Sequence, residues 1–302
     1  MDFQQLEVDE KMQESRKALI EELKANPDVI DFMEERNVPM KVLEMYPYRF
    51  LEWLKQRNLC RGCKGLKSCK QKQQGYRDGL DYDRILKPVK EACFFQLQKM
   101  EETKHLENYL VSDLGMTFES VSFATIDLTR EDPAYLLAYK EATTAYKNNA
   151  GLYLYGTMGT GKSYLAACCS NDMARSGKSV CYVHMPSFAQ RLRANYRYED
   201  YKKEVSQLGY ADFVVFDDIG AEDVTEQNRS ILLSILDKRM QNKRMTWFTS
   251  NEDINSLRNH FLNTSKGSDR LEAERIIERI FVLAKPVQMI GVDRRSLQIE
   301  KL

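Results

Sequence analysis

The sequence has no run of about 18 apolar residues, the length a helix needs to cross a bilayer, so no segment is expected to span a membrane. It does not open on an export signal either: Met1-Asp2-Phe3-Gln4-Gln5 lacks the basic-then-apolar layout of one. It has no net charge, with 45 basic and 45 acidic side chains in 302 residues. That balance excludes a chain that coats nucleic acid by bulk charge and leaves only local patches for such contacts. The seven cysteines are an odd number without an export signal. They read as cytoplasmic reduced thiols or metal ligands, not as a disulfide framework. There is no internal repeat and no low-complexity tract.

A chain of 302 residues predicts two domains. Residues 1–110 read as a mainly helical N-terminal domain. Asn26-Pro27 is a cap followed by proline at the first helical position. Val29, Ile30 and Met33 then share a face, and Val42, Met45, Tyr46, Phe50, Leu51 and Leu54 repeat at helical spacing. Residues 58–93 break this pattern with four cysteines, four glycines and a basic run. Residues 111–130 look like a linker. From 131 to 302 the chain alternates. Strands are expected at 151–155, 179–183, 211–216, 245–249 and near 287–290, and helices at 134–147, 225–240 and 271–283. Such alternation means an α/β fold, a parallel sheet covered by helices on both faces.

The most informative stretch is Gly156-Thr157-Met158-Gly159-Thr160-Gly161-Lys162-Ser163, which fits the phosphate-binding pattern G-x-x-x-x-G-K-[ST]. It lies between the strand Leu152–Tyr155 and a helix that starts with Tyr164-Leu165-Ala166-Ala167. The glycines let backbone N–H groups curl around phosphate oxygens, and the helix N-terminus adds partial positive charge. Lys162 is the candidate for the β- and γ-phosphates of ATP, and Ser163 for Mg2+. The apolar run Phe213-Val214-Val215-Phe216 ends in Asp217-Asp218, 55 residues after Lys162. This reads as a Walker B motif, with Asp217 on Mg2+ and Asp218 orienting the attacking water. Asn251, at the tip of the next strand, is the candidate sensor of the γ-phosphate, with helix capping as its alternative. Arg275 and Arg279, four apart, share a helix face. They are either a solvated surface pair or arginine fingers for a neighbouring subunit. Arg294-Arg295 is a candidate second sensor.

These motifs, in this order, resemble the AAA+ ATPases, and more narrowly the bacterial helicase loaders of the DnaC/DnaI/IstB branch. The resemblance covers the chain from Asp132 to the end. It implies an AAA+ P-loop sheet without a lid domain, since only 17 residues follow Lys285. It also implies a job: an N-terminal domain that binds the replicative helicase hexamer, and ATP-dependent delivery of that helicase onto single-stranded DNA with other primosome proteins. Hydrolysis would be slow and switch-like, and the loader itself a homo-oligomer on the helicase.

Cys60, Cys63, Cys69 and Cys93 have the number and CxxC start of a structural Zn2+ site, and the resemblance implies zinc in this domain. No histidine lies between 60 and 93, where the family pattern has one, and Arg77 stands in that neighbourhood. The ligands would be all four thiolates, or would include His105. Cys168, Cys169 and Cys181 read as core. One basic patch, Arg61, Lys64, Lys67, Lys70 and Lys72, crowds the cysteines. Another, Arg191, Arg193, Tyr196 and Arg197, interleaves arginine with tyrosine and is a candidate contact for single-stranded DNA. An IstB-like transposition helper, a metabolite kinase and a non-catalytic nucleotide-gated adaptor stay open. The adaptor is kept open by Asp218, which stands where a longer glutamate is commoner and positions water differently.

Overall fold

Two units divide the computed structural model, Met1–Glu102 and Thr103–Leu302. Residues 3–129, 131–194, 198–264, 267–268, 270–291 and 293–294 are described. The first unit holds α1 (Phe3–Lys24), α2 (Pro27–Glu35), α3 (Met40–Met45), α4 (Pro47–Leu59), the hairpin β1 (Tyr76–Asp83) and β2 (Ile85–Ala92), and most of α5 (Phe94–Thr103). Asn26 Oδ1 accepts from the Asp28 N–H at 3.0 Å, so α2 starts where its cap puts it. Phe32 packs edge-on to Phe50 and tilted against Trp53, at ring distances of 5.9 and 5.0 Å. Leu23, Val29, Leu43, Leu80 and Leu86 close this core. Of the face expected on α2, Val29 is buried but Ile30 is 40% exposed. The stripe centres on Val29 and Phe32, three apart, and Ile30 lies at its edge.

The hairpin was not legible as hydrophobic alternation, because ion pairs set much of its register. Arg77 faces Glu91 and Asp78 faces Lys90 across the strands, at 2.9 and 2.7 Å. The zinc expectation finds no support. Among the described residues no group of three or more His, Cys, Asp or Glu assembles to hold a metal ion. Three of the four half-buried cysteines make hydrogen bonds through sulfur. Cys60 Sγ accepts from Gln71 Nε2 (3.3 Å), Cys63 Sγ donates to the Gly65 carbonyl (3.5 Å) and Cys69 Sγ accepts from the Gly75 N–H (3.4 Å). His105, the alternative ligand, is buried, with Nε2 2.9 Å from the Glu119 carbonyl.

The second unit contains β3 (Tyr109–Ser112), α6 (Pro133–Lys147), β4 (Leu152–Tyr155), α7 (Lys162–Arg175), β5 (Val180–His184), α8 (Met185–Arg193), α9 (Tyr198–Tyr210), β6 (Phe213–Asp217), α10 (Glu226–Gln241), β7 (Met245–Ser250), α11 (Ile254–Leu262), the two-residue strands β8 (Asn263–Thr264) and β9 (Gly267–Ser268), α12 (Arg270–Leu283) and β10 (Lys285–Gln288). Six strands form one sheet in the order β10-β4-β7-β6-β5-β3, parallel throughout. Its strands alternate between two cores. Leu152, Leu154, Val215 and Trp247 join the one with α6 and α7. Tyr153, Val214, Phe216 and Phe248 join the one with α10 and α12. Burial on both faces explains the unbroken apolar runs. Each large apolar side chain so buried contributes about 1.5–3 kcal/mol.

The expected linker at 111–130 belongs instead to this unit. Tyr109–Ser112 is the edge strand beside β5, and short 3-10 turns at Met116–Phe118 and Phe123–Thr125 pack on α7. The buried amide of Asn171 organises the segment. It donates to the Phe118 and Val121 carbonyls (2.7 and 2.8 Å) and accepts from the Tyr109 hydroxyl (2.7 Å).

Arg239 of α10 is fully buried. It donates to Thr246 Oγ1 (2.8 Å) and to the carbonyls of Leu208 (2.8 Å), Ala211 (3.0 Å) and Met245 (2.6 Å). It thus bolts α10 to the ends of α9 and β7. Arg239→Met keeps the volume and leaves those acceptors unmet, so it should lower stability by about 3 kcal/mol or more in urea unfolding. A loss below about 1 kcal/mol would contradict that role.

Candidate functional site

The sheet order places the ends of β4, β7 and β6 side by side, and the candidate residues stand at those carboxyl ends, where open α/β sheets bind ligands. The loop after β4 turns through left-handed backbone at Gly156, Gly159 and Gly161 (φ +144°, +75° and +96°). Thr160 Oγ1 donates to the Thr157 carbonyl (2.9 Å) and closes the turn. Lys162 is the first residue of α7 and only 7% exposed. Its ammonium donates to the Gly156 and Thr157 carbonyls (2.8 Å each) and to Asn251 Oδ1 (3.0 Å). Asn251 Nδ2 in turn donates to Asp218 Oδ1 (3.1 Å). One hydrogen-bonded run therefore joins the phosphate loop, the tip of β7 and the tip of β6.

Two residues near these tips, one on β7 and one within β5, were missed as site members. Thr249, nearly fully buried, donates through Oγ1 to Asp217 Oδ1 (2.5 Å) and accepts from the Asp218 N–H (2.9 Å). It orients both carboxylate-bearing residues and supports the left-handed backbone of Asp218 (φ +59°). The signal was present, since a hydroxyl at the end of a buried strand needs a partner. Tyr182 of β5 is the other. Its hydroxyl is 3.5 Å from the Ser163 carbonyl. Burial, with the Asp217 charge beside it, pushes this phenol well above its ordinary value.

The donor set fits a magnesium–triphosphate group. Magnesium takes one or two protein oxygens and completes its shell with water and phosphate, which matches Ser163 and Asp217. The loop N–H groups and Lys162 would supply the anion site.

The arginines separate. Arg279 pairs with Asp237 of α10 (2.7 Å) and with Glu278 (2.9 Å), while Arg275 is exposed and makes no ion pair among the described residues. Arg294 pairs with Glu131, and Arg295 lies outside the described residues. Arg191, expected at DNA, is held by Asp113 (2.9 Å) and by the buried carboxylate of Glu204 (2.7 Å). Two acids thus share its charge. Arg193 is exposed and pairs with Asp223 (2.7 Å). Tyr196 and Arg197 lie outside the described residues.

Comparison with known proteins agrees with this geometry. The IstB-like ATP binding protein family matches residues 98–296. The replicative helicase loader DnaI of Bacillus subtilis (strain 168) is 27% identical over 293 residues, 91% of each chain. The replicative helicase loader DnaC of Escherichia coli (strain K12) is 26% identical over 135 residues, 44% of this chain and 51% of that one. A crystal structure of DnaI has a TM-score of 0.54 at 27% identity, covering 64% of this chain and 100% of that one.

Glu222, five residues after Asp217, also escaped notice. It turns inward and is 5% exposed. Oε2 accepts from the Gly220 N–H at 2.8 Å, while Oε1 meets no hydrogen-bond donor among the described residues. Burial, with the Asp218 charge adding to it, pushes this carboxyl up to about 7. A raised folded value means stability is full below the ordinary value of 4.5 and is lost as pH rises through 7. Glu222→Gln should therefore stabilise the protein by about 2–3 kcal/mol at pH 8 and leave it nearly unchanged at pH 5. Urea unfolding at both pH values checks this, and an equal change at the two would contradict it.

Proposed function

The chain belongs to the IstB-like ATP-binding protein family, and on that premise we propose that it is an ATP-driven loader of a replicative DNA helicase. The observation that carries the ATPase part is the run from Lys162 through Asn251 to Asp218. It links the residue suited to phosphate with the residue suited to water. The loader part is supported by the similarity to DnaI, which extends over 91% of both chains and so includes the first unit. No helix among the described residues is long and apolar enough to cross a membrane, and the reading places the work in the cytoplasm, on the helicase.

Each residue has a task in this reading. Lys162 exchanges its loop carbonyls for phosphate oxygens, while Asn251 keeps the ammonium aimed. Ser163 and Asp217 hold magnesium, which when bound neutralises triphosphate charge. Thr249 fixes the Asp217 carboxylate. Asp218, held by Asn251, orients water and accepts its proton. An aspartate reaches less far than a glutamate, which suits slow, switch-like turnover. Arg275 acts as a finger on the next subunit, because Arg279 is already paired with Asp237. The first unit grips the helicase, and Arg193 contacts single-stranded DNA.

The deciding experiment mixes the full chain with the replicative helicase of the same organism, with and without MgATP, and measures mass by light scattering. A defined complex is expected, and Lys162→Ala should remove its response to ATP. Failure to associate in either condition would end the loader reading. Asp218→Asn should slow turnover at least about 100-fold. Complex formation with no turnover in the wild type would instead favour the nucleotide-gated adaptor.

A further inference from the structure

Beside the phosphate loop, the residues that lead into α6 are fastened to the last described residues of the chain. The Arg294 guanidinium makes a bidentate pair with Glu131. Nη1 donates to Oε1 at 2.7 Å and Nη2 to Oε2. The same guanidinium lies over the Tyr135 ring, 3.5 Å from its centroid, and Tyr135 is 3% exposed in the first turn of α6. The Arg294 backbone N–H donates to the Gly159 carbonyl at 3.0 Å. A Cβ at Gly161 would come within 3.3 Å of Tyr135 Cε2 and 3.6 Å of Arg294 Cδ, and the Asp293 carboxylate fills the space a Cβ at Gly159 would need. The turn from Gly159 to Gly161 is therefore boxed in by Asp293, Arg294 and Tyr135.

Glu131 touches none of that turn, yet it decides where the arginine lies. A guanidinium needs a partner once it is partly withdrawn from water. The planar fork of a bidentate carboxylate pair holds it in one plane, the plane that stacks on Tyr135. We infer that Glu131 is a positioning residue for nucleotide binding: it keeps Arg294 flat on Tyr135 and so fixes the Gly159–Gly161 turn with its N–H groups open to phosphate. This rests on the reading of that loop as the ATP site. It assigns Arg294 to the loop rather than to the γ-phosphate, the role of a second sensor. An arginine that reads the γ-phosphate must leave its carboxylate, whereas one that shapes the loop must keep it.

The two roles predict different patterns with ATP and ADP. Affinity is measured with fluorescent analogues of both nucleotides for wild type, Glu131→Gln, Arg294→Gln and the double variant, together with KM and kcat for ATP. Each single variant should weaken ATP and ADP by the same factor, about ten-fold. The double variant should be no weaker than either single one. KM should rise while kcat at saturating ATP stays within about two-fold, since no reacting group is changed. Unchanged affinities would overturn the inference. So would an Arg294→Gln effect confined to ATP with Glu131→Gln silent or tighter. If Arg294→Gln melts far below wild type without nucleotide, Arg294→Lys replaces it, which keeps the charge and loses the fork. A wild-type chain that binds neither nucleotide would sink the ATP-site reading itself, whereas wild-type binding with indifferent variants sinks only the role of Glu131.

Discussion

The Lys162 ammonium stands at the centre of this protein. It is nearly excluded from water, and an ammonium in that position is costly unless oxygen atoms surround it. Among those that do are the carbonyls of Gly156 and Thr157 and the amide oxygen of Asn251. The first two come from its own loop. The third comes from the tip of β7, and it is the one that turns a local turn into a site. Through Asn251 the charge on the loop is felt at Asp218, on the tip of β6. In the proposed reading, a phosphate that draws the ammonium away from its carbonyls would act on both strand ends through Asn251.

The sheet makes that contact available. With β7 lodged between β4 and β6, the loop after β4 and the carboxylates after β6 flank a single strand tip. Buried polar side chains keep those tips in register. Thr249 serves Asp217 and Asp218, and Ser250 Oγ donates to the Ile219 carbonyl at 2.5 Å. Arg239 holds the far end of β7 through the Met245 carbonyl and the Thr246 hydroxyl. Hydrogen bonds of this kind contribute modestly when made and cost more when broken. They make the geometry of the strand ends rigid, and rigid geometry is what an electrostatic site needs.

Much of the second unit was legible in the sequence because its physics is regular. Strands buried on both faces leave continuous apolar runs, as at Phe213–Phe216, and the glycine loop has a spacing that few other structures require. Lys162, Asp217, Asp218 and Asn251 were legible for the same reason; hydrogen bonds join Lys162, Asn251 and Asp218 directly, and Asp217 joins them through Thr249. What escaped is held by side chains instead of by period. Asn171 anchors the segment around Phe118 and Val121 through its amide, and the edge strand Tyr109–Ser112 is only four residues long, too short to show a period. Cross-strand charges set the hairpin at Tyr76–Ala92. Arg191 looked like one of a row of basic residues, but its partners, Asp113 and Glu204, lie 78 and 13 residues away. The cysteine spacing Cys60, Cys63, Cys69, Cys93 suggested a metal, and no group of three or more ligands assembles for one among the described residues. Glu222 was invisible because one glutamate in a loop gives no sign of its burial.

The most direct measurement is a crystal structure of the protein with magnesium and a non-hydrolysable ATP analogue. The expected result has Lys162 Nζ on the β- and γ-phosphate oxygens, Ser163 and Asp217 on magnesium, and Asn251 still in contact with the ammonium. Nucleotide bound away from the loop, or bound there with Lys162 still on the Gly156 and Thr157 carbonyls, would contradict it.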